Sequence, residues 1–173
     1  MLHPIAPITD RRIRIALVGC GRISANHIRA FAFHQDRAEL VAICDTQAKR
    51  LEKAQQLITE AAAEYPGAAT NPKQFNSYSE LLAATQNNTT PIDMVVLATP
   101  SGLHPGQVIA AADAGLHVCT EKPMATRWAD GVAMVKACDQ AGVHLFVVKQ
   151  NRFNSTLQLV KRQLQAGRFG KLA

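Results

Sequence analysis

Residues 13–24, Ile13-Arg-Ile-Ala-Leu-Val-Gly-Cys-Gly-Arg-Ile-Ser24, decide the fold. Ile13 to Val18 is a short, mostly apolar and β-branched run ended by Gly19, which reads as a strand buried on both faces. From Ile23 to about Phe33 apolar residues recur at near-helical spacing, so Gly19 to Ser24 is a strand-to-helix turn. A glycine-rich turn has a mechanical reason to exist there. The first glycine makes the tight bend; the second lets backbone approach a pyrophosphate resting against the helix N-terminus and its unpaired N–H groups. At the third glycine of the G-x-G-x-x-G pattern stands Ser24, expected to loosen the helix–strand contact slightly. An ordinary strand-to-helix turn is the competing reading, and the strand before and helix after favour the dinucleotide site.

The same alternation continues outward. Glu39 to Cys44 reads as a second buried strand, Thr46 as the N-cap of a helix from about Gln47 to Glu64, and Pro66-Gly67 as its stop. Tyr65 to Ser77 reads as loop with a short edge strand near Gln74 to Asn76. A short helix over Ser79 to Thr85 and a turn through Asn87 to Pro91 lead to a strand over Ile92 to Ala98. Then follow a helix from about Pro105 to Ala114 closed by Gly115, a strand over Leu116 to Thr120, a helix over Arg127 to Ala141 closed by Gly142, and a strand over Val143 to Lys149. Glycine at both helix ends supplies the left-handed conformation at little cost. A last amphipathic helix covers about Ser155 to Ala166. Six strands alternating with helices predict an α/β fold, a doubly wound parallel sheet of the Rossmann dinucleotide-binding type, with its switch point between the first and fourth strands. The domain reading is an N-terminal arm (1–12), a dinucleotide-binding domain (13–150) and a linker helix (151–173).

Composition agrees. The 173 residues, 47% apolar and 18% charged, suffice for one core, and burial of roughly 70% of the unfolded chain's surface makes disulfides or a structural metal unnecessary. No apolar run approaches the roughly 18 residues of a membrane span, and the first residues have no basic region followed by an apolar one, so neither membrane nor secretion is expected and cytoplasm is the default. Cys20, Cys44, Cys119 and Cys138 form no C-x-x-C pair and lie beside no suitably spaced histidine; they read as reduced thiols packed as small hydrophobes, with no metal expected. The net charge of +6 is carried entirely by the last 25 residues, where Lys149, Arg152, Lys161, Arg162, Arg168 and Lys171 face no acid. Such a segment could grip nucleic-acid phosphates, grip the phosphates of a small substrate, or be a solvated face. No nucleic-acid-binding signature accompanies it, so no nucleic-acid partner is expected.

Three further sites carry candidate chemistry. Asp45 ends the second strand, 24 residues after Gly21, where a carboxylate either accepts from both adenosine ribose hydroxyls or caps the next helix. A carboxylate there repels a 2′-phosphate and favours NAD, although Arg22, Lys49 and Arg50 could offset that repulsion. Thr99-Pro-Ser-Gly-Leu-His104 follows the fourth strand; Thr99 and Ser101 could cap the next helix, and His104 could contact a cofactor or simply begin that helix. Glu121-Lys122-Pro123 ends the fifth strand. Pro123 disfavours helix at Lys122, so the ammonium either projects into the crevice, where it can bond a substrate hydroxyl and help move a proton, or lies on the surface before a turn.

Taken together, Gly19-Cys-Gly-Arg22, Asp45, Thr99-Pro-Ser-Gly-Leu-His104 and Glu121-Lys-Pro-Met124 resemble the N-terminal half of the Gfo/Idh/MocA oxidoreductases, over nearly the whole chain from Ile13. Within that family, Lys149-Gln-Asn-Arg-Phe-Asn154 and Gly167-Arg-Phe-Gly170 are most similar to the UDP-N-acetyl-2-amino-2-deoxyglucuronate (UDP-GlcNAcA) 3-dehydrogenases of the WlbA/WbpB type, which serve bacterial surface polysaccharides such as O-antigen. Inositol or glucose-type dehydrogenases of the same family, and a free-standing NAD-binding module, are the alternatives.

The resemblance implies that Gly19, Gly21, Arg22, Ile23 and Asp45 hold the adenosine diphosphate half of NAD. It puts Thr99, Pro100 and His104 along the nicotinamide side with Glu121 nearby, and the catalytic Lys122 beside the reacting sugar hydroxyl. Lys149, Gln150, Asn151 and Arg152 fall where cofactor and UDP-sugar meet, Gln150 toward the cofactor and the other three toward the substrate. Family members continue into a second α/β domain carrying a catalytic histidine and the main association surface. With the sequence reaching Lys171-Leu-Ala173, that domain is expected to be absent here. The expectation is therefore a chain that binds NAD but turns over little by itself, ends in a poorly anchored helix, and forms homo-oligomers only as the full-length enzyme.

Overall fold

The computed structural model describes residues 7–68 and 71–171. The first six residues of the expected N-terminal arm, Ala69 and Thr70 of the expected loop, and the last two residues of the linker lie outside them. In chain order the elements are β1 (Ile13–Val18), α1 (Ser24–Phe33), β2 (Ala38–Cys44), α2 (Ala48–Glu64), β3 (Lys73–Phe75), α3 (Tyr78–Gln86), β4 (Met94–Leu97), α4 (His104–Asp113), β5 (His117–Thr120), α5 (Trp128–Ala141), β6 (Leu145–Val147) and, after a 3-10 turn over Gln150–Phe153, α6 (Ser155–Gln165). The strands pair in the order β3-β2-β1-β4-β5-β6, every pairing parallel. This is the doubly wound topology, with the reversal between β1 and β4.

Strand alternation explains the continuous apolar runs. Ala16 and Val18 on β1, with Val95, Leu97 and Val118, face a core closed by Leu81 of α3, Val108 and Ala111 of α4, and Met134 and Cys138 of α5. Ile15 and Leu17 face the opposite core with Ile28 of α1 and Leu51, Ala54 and Ile58 of α2. Each buried methylene is worth about 0.8 kcal/mol, so two-sided burial of the strands supplies the main driving force for this sheet.

Several element boundaries differ from expectation, for local reasons. β5 begins at His117 because the Leu116 N–H bonds back to Ala111 O and closes α4; β6 begins at Leu145 because the Val143 N–H likewise closes on Cys138 O. The expected glycines end these helices: Gly115 and Gly142 have φ of 74° and 66°. Thr46 does not cap α2. Gln47 occupies the cap position, and its N–H donates to Asp45 Oδ1 at 2.9 Å. α3 begins one residue earlier than expected, at Tyr78, because Ser77 Oγ caps it by accepting the Glu80 N–H.

Register sets the site. Phe75, Cys44, Val18, Leu97, Thr120 and Val147 stand in one row across the sheet. The residues that follow them, among them Gly19, Asp45, Ala98, Glu121 and Val148, leave one edge together. At the opposite edge Arg11 and Arg14 clamp Asp93 through paired hydrogen bonds, tying the described part of the N-terminal arm to the start of β4. α6 contrasts with all other helices in having no buried residue, although Asn154 caps it through Oδ1.

Candidate functional site

The turn after β1 is fixed by backbone geometry. Gly19 has φ +92°, and a Cβ on it would lie 2.8 Å from Ala98 C and O, so both conformation and the close approach of β4 demand glycine. Its N–H donates to Cys44 O at 2.8 Å. Gly21 differs: a Cβ there would meet nothing within 4 Å, leaving open space beside the turn. That space belongs to a pocket of about 410 Å³ lined by Cys20, Gly21, Arg22, Ser24, Arg50 and Lys53, a cationic cradle with no acid on its wall. Ile23 is half-buried at the N-cap of α1. Ser24 stands where the third glycine of the pattern would be. It is fully buried and its hydroxyl donates to Gly21 O at 2.6 Å, closing the turn from within.

Asp45 is buried at the end of β2, with both carboxylate oxygens in use. Oδ2 accepts the Cys20 N–H at 2.9 Å, Oδ1 accepts the Gln47 N–H, and Arg50 Nη1 stands 3.7 Å from Oδ2. Asp45 thus shapes the entry to α2, as the capping reading has it, and also holds the glycine-rich turn. Each oxygen retains a lone pair for a further donor. Burial, followed by the neighbouring Asp45 charge, pushes the Cys20 and Cys44 thiols up to about 12. All four cysteines are free, and three are buried. They pack as small hydrophobes.

Across the switch point, Thr99 does not cap α4; its hydroxyl donates to Gln107 Oε1 at 2.5 Å, and neither Thr99 nor Ser101 caps that helix by its side chain. Pro100 is exposed above it. His104 opens α4, 1% exposed, with Nε2 2.9 Å from Thr99 O and Nδ1 3.1 Å from Pro123 O and 3.0 Å from Thr120 Oγ1. His104 thus stands between the loops after β4 and β5.

After β5, Glu121 is half-buried and Lys122 exposed; the Lys122–Pro123 peptide is cis. Glu121 Oε2 accepts the Lys122 N–H at 3.2 Å, while Oε1 lies 2.9 Å from His27 Nε2 on α1. Nothing local marks His27 as a site residue, since its partner is 94 positions away.

Residues 149–152 do not gather at one point. Lys149 joins Pro123, Met124, Trp128, Val132 and Lys136 around a groove of about 670 Å³. Asn151 and Arg152 line a different groove with Phe153, Leu157, Gln158 and Lys161. Gln150 is exposed at the start of the 3-10 turn. Trp128, 88% exposed at the start of α5, has no counterpart among the residues singled out from sequence.

An adenine dinucleotide fits these residues: the space at Gly21 is where a side chain would exclude it, and the amides and cations around that space suit a diphosphate. Comparison with known proteins agrees. Residues 13–149 match the GFO_IDH_MocA model, described as an oxidoreductase family with an NAD-binding Rossmann fold. The chain is 56% identical to the WlbA dehydrogenase of Bordetella pertussis, solved with NADH and UDP-GlcNAcA, over 93% of this chain and 44% of that one, with a TM-score of 0.72. The WlbA dehydrogenase of Chromobacterium violaceum, solved with the same ligands, is 51% identical over 96% of this chain and 44% of that one, with a TM-score of 0.75. D-apiose dehydrogenase of Paraburkholderia graminis is 36% identical over 94% of this chain and 39% of its own length. The chain thus spans about two-fifths of the length of these relatives.

Proposed function

The chain belongs to the Gfo/Idh/MocA oxidoreductase family through its NAD-binding Rossmann fold, and from that premise we propose that it is the cofactor-binding half of a dehydrogenase acting on a UDP-N-acetylglucosaminuronate-type sugar. The reaction would be oxidation of the sugar C3 hydroxyl, serving bacterial surface polysaccharide (O-antigen) synthesis. The observation that carries this reading is the identity of 56% and 51%, spread over almost the whole chain, to two dehydrogenases solved with NADH and UDP-GlcNAcA.

The residues then divide the work. Amides of the Gly19 to Ile23 turn and the Arg22 side chain meet the cofactor diphosphate, and the spare lone pairs of Asp45 accept from the adenosine ribose hydroxyls. Thr99, Pro100 and Glu121 border the nicotinamide side, with His104 supporting them from below. NAD, when bound, supplies the hydride acceptor. Lys122 bonds the C3 hydroxyl and helps move its proton, while Lys149, Asn151 and Arg152 reach toward the sugar nucleotide and Gln150 toward the cofactor.

Titration with NADH, followed by its fluorescence, tests the cofactor site; saturable 1:1 binding is expected. The substrate class is tested by adding UDP-GlcNAcA or myo-inositol to the NADH-loaded chain. Binding of inositol alone would replace the sugar-nucleotide reading with an inositol one.

A further inference from the structure

Lys122 is exposed, and a flexible four-carbon stem gives its ammonium no fixed direction of its own. The structure restrains the backbone that carries it. Glu121 accepts the Lys122 N–H through Oε2 and faces His27 Nε2 through Oε1, so one carboxylate links the lysine backbone to α1. The His27 and Glu121 side chains are each only 14% exposed, and an ionised carboxylate only accepts, so Nε2–H of His27 is the donor. The His27 ring is itself oriented by stacking on Phe31 one turn later, with centroids 6.2 Å apart and planes at 27°. On the other side of Lys122, the Pro123 carbonyl lies against His104, which Thr99 and Thr120 hold in turn. Two imidazoles therefore bracket the Glu121-Lys122-Pro123 segment. His104 Nδ1 lies 3.1 Å from its Pro123 carbonyl, and His27 holds it to the helix that begins at the cofactor turn.

We infer that His27 is a positioning residue: through Glu121 it fixes the direction in which Lys122 leaves the end of β5, and so couples α1 to the placement of the lysine beside the nicotinamide. This deepens the proposed function and rests on its assignment of Lys122. A residue that merely filled space would not need a donor at Nε2. The polar pair is largely out of water, joins two elements on opposite sides of the switch point, and ends on the one exposed lysine of that loop.

The test reads lysine exposure rather than turnover. Reductive methylation with isotope-labelled formaldehyde, quantified by mass spectrometry, gives the rate at Lys122 with Lys136 and Lys161 as internal references. Saturating NADH should slow labelling of Lys122 at least fivefold in the unmodified chain. In His27→Leu that protection should fall below twofold, although fluorescence titration gives an NADH Kd within threefold of the original. His27→Gln, which retains an N–H donor, should restore at least threefold protection. If His27→Leu does not fold, His27→Phe keeps the stacking ring without the donor and should behave as described for leucine. Full protection in a donor-less variant would overturn the inference. So would loss of NADH affinity in both donor-less variants, which would assign His27 to the cofactor turn instead. Absence of protection in the unmodified chain would overturn both the inference and the placement of Lys122, and intact NADH binding in that case would leave the cofactor site standing.

Discussion

Gly19 and Gly21 look alike in sequence but are constrained by different things, and alanine at each position separates fold from ligand. At Gly19 the methyl group meets backbone atoms of Ala98 and Thr99 at 2.8–2.9 Å, and φ is +92°. Neither strand can yield easily, because the Ala98 N–H donates to Val18 O at 2.8 Å and the Gly19 N–H to Cys44 O. A left-handed conformation costs a non-glycine residue roughly 1–2 kcal/mol and overpacking roughly 1–3 kcal/mol, so Gly19→Ala should lose about 3 kcal/mol. For a chain of this size that corresponds to a Tm lower by about 6–12 °C. At Gly21 the added methyl enters open space and φ is not positive, so Tm should stay level or rise slightly as the unfolded chain loses freedom. The same methyl should keep a diphosphate from the turn amides. Losing one charge-assisted hydrogen bond costs roughly 1.5–3 kcal/mol, which weakens NADH by about 10- to 100-fold. Calorimetry and NADH fluorescence titration measure the two effects separately. If Gly21→Ala binds NADH within twofold of the original chain, the diphosphate does not rest on this turn.

Asp45→Ala should leave the Cys20 N–H without its acceptor at a cost of about 1–3 kcal/mol, weaken NADH, and relax discrimination against NADPH, all measurable by thermal unfolding and paired cofactor titrations. Unchanged discrimination would restrict Asp45 to its structural bonds. Burial would by itself raise the Asp93 carboxyl, but its bonds to Arg11 and Arg14 outweigh burial and hold it well below the usual carboxylate range. A depressed folded pKa contributes stability that is present above the unfolded value near ~4 and lost as pH falls below it. Asp93→Asn should therefore flatten the acid limb of a stability-versus-pH curve, and an unaltered limb would refute the clamp. With Cys20 and Cys44 pushed up to about 12 and Cys119 to about 11, chiefly by burial, iodoacetamide at pH 8 should label the native chain far more slowly than the unfolded one. Equal rates would contradict the burial.

What could be read from sequence was what is local. β1, its turn and α1 form one contiguous stretch whose apolar run, glycines and helical spacing act within a dozen residues, and that stretch set the fold class. The ends of β5 and β6 were not legible, because Leu116 and Val143 are apolar like strand residues but give their N–H groups to the preceding helices. The bond of Ser24 is not legible either, because nothing in the sequence directs its hydroxyl to Gly21 O. Asp45 was legible as a candidate but not its two partners, one of which lies 25 residues back. His104 is legible as a helix start but not as a buried one, since a histidine whose nitrogens face carbonyls looks in sequence like any other at that position. That Lys149 lines one groove, and Asn151 and Arg152 another, is not legible in sequence, because the 3-10 turn at Gln150–Phe153 lies between them.

The bonds along the crevice divide the site into a rigid part and a pliant part. Gly19 is tied to Cys44, Cys20 to Asp45, Thr99 to Gln107, and Glu121 to His27, and His104 stands between the loops after β4 and β5, all by contacts within the chain. Each bond removes loop freedom that binding would otherwise have to remove, at roughly 0.5–1.5 kcal/mol for every side chain newly immobilised. Residues Lys149 to Gln165 are different: they are exposed or half-buried, and α6 buries none of its length. The two parts also differ in chemistry. The rigid part offers fixed amides and two carboxylates, Asp45 and Glu121, within an NAD-binding fold, while the pliant part offers the long cationic side chains of Lys149, Arg152, Lys161 and Arg162. Under the proposed function, cofactor binding would fall to residues bonded within the fold, and substrate contact to the exposed residues from Lys149 onward.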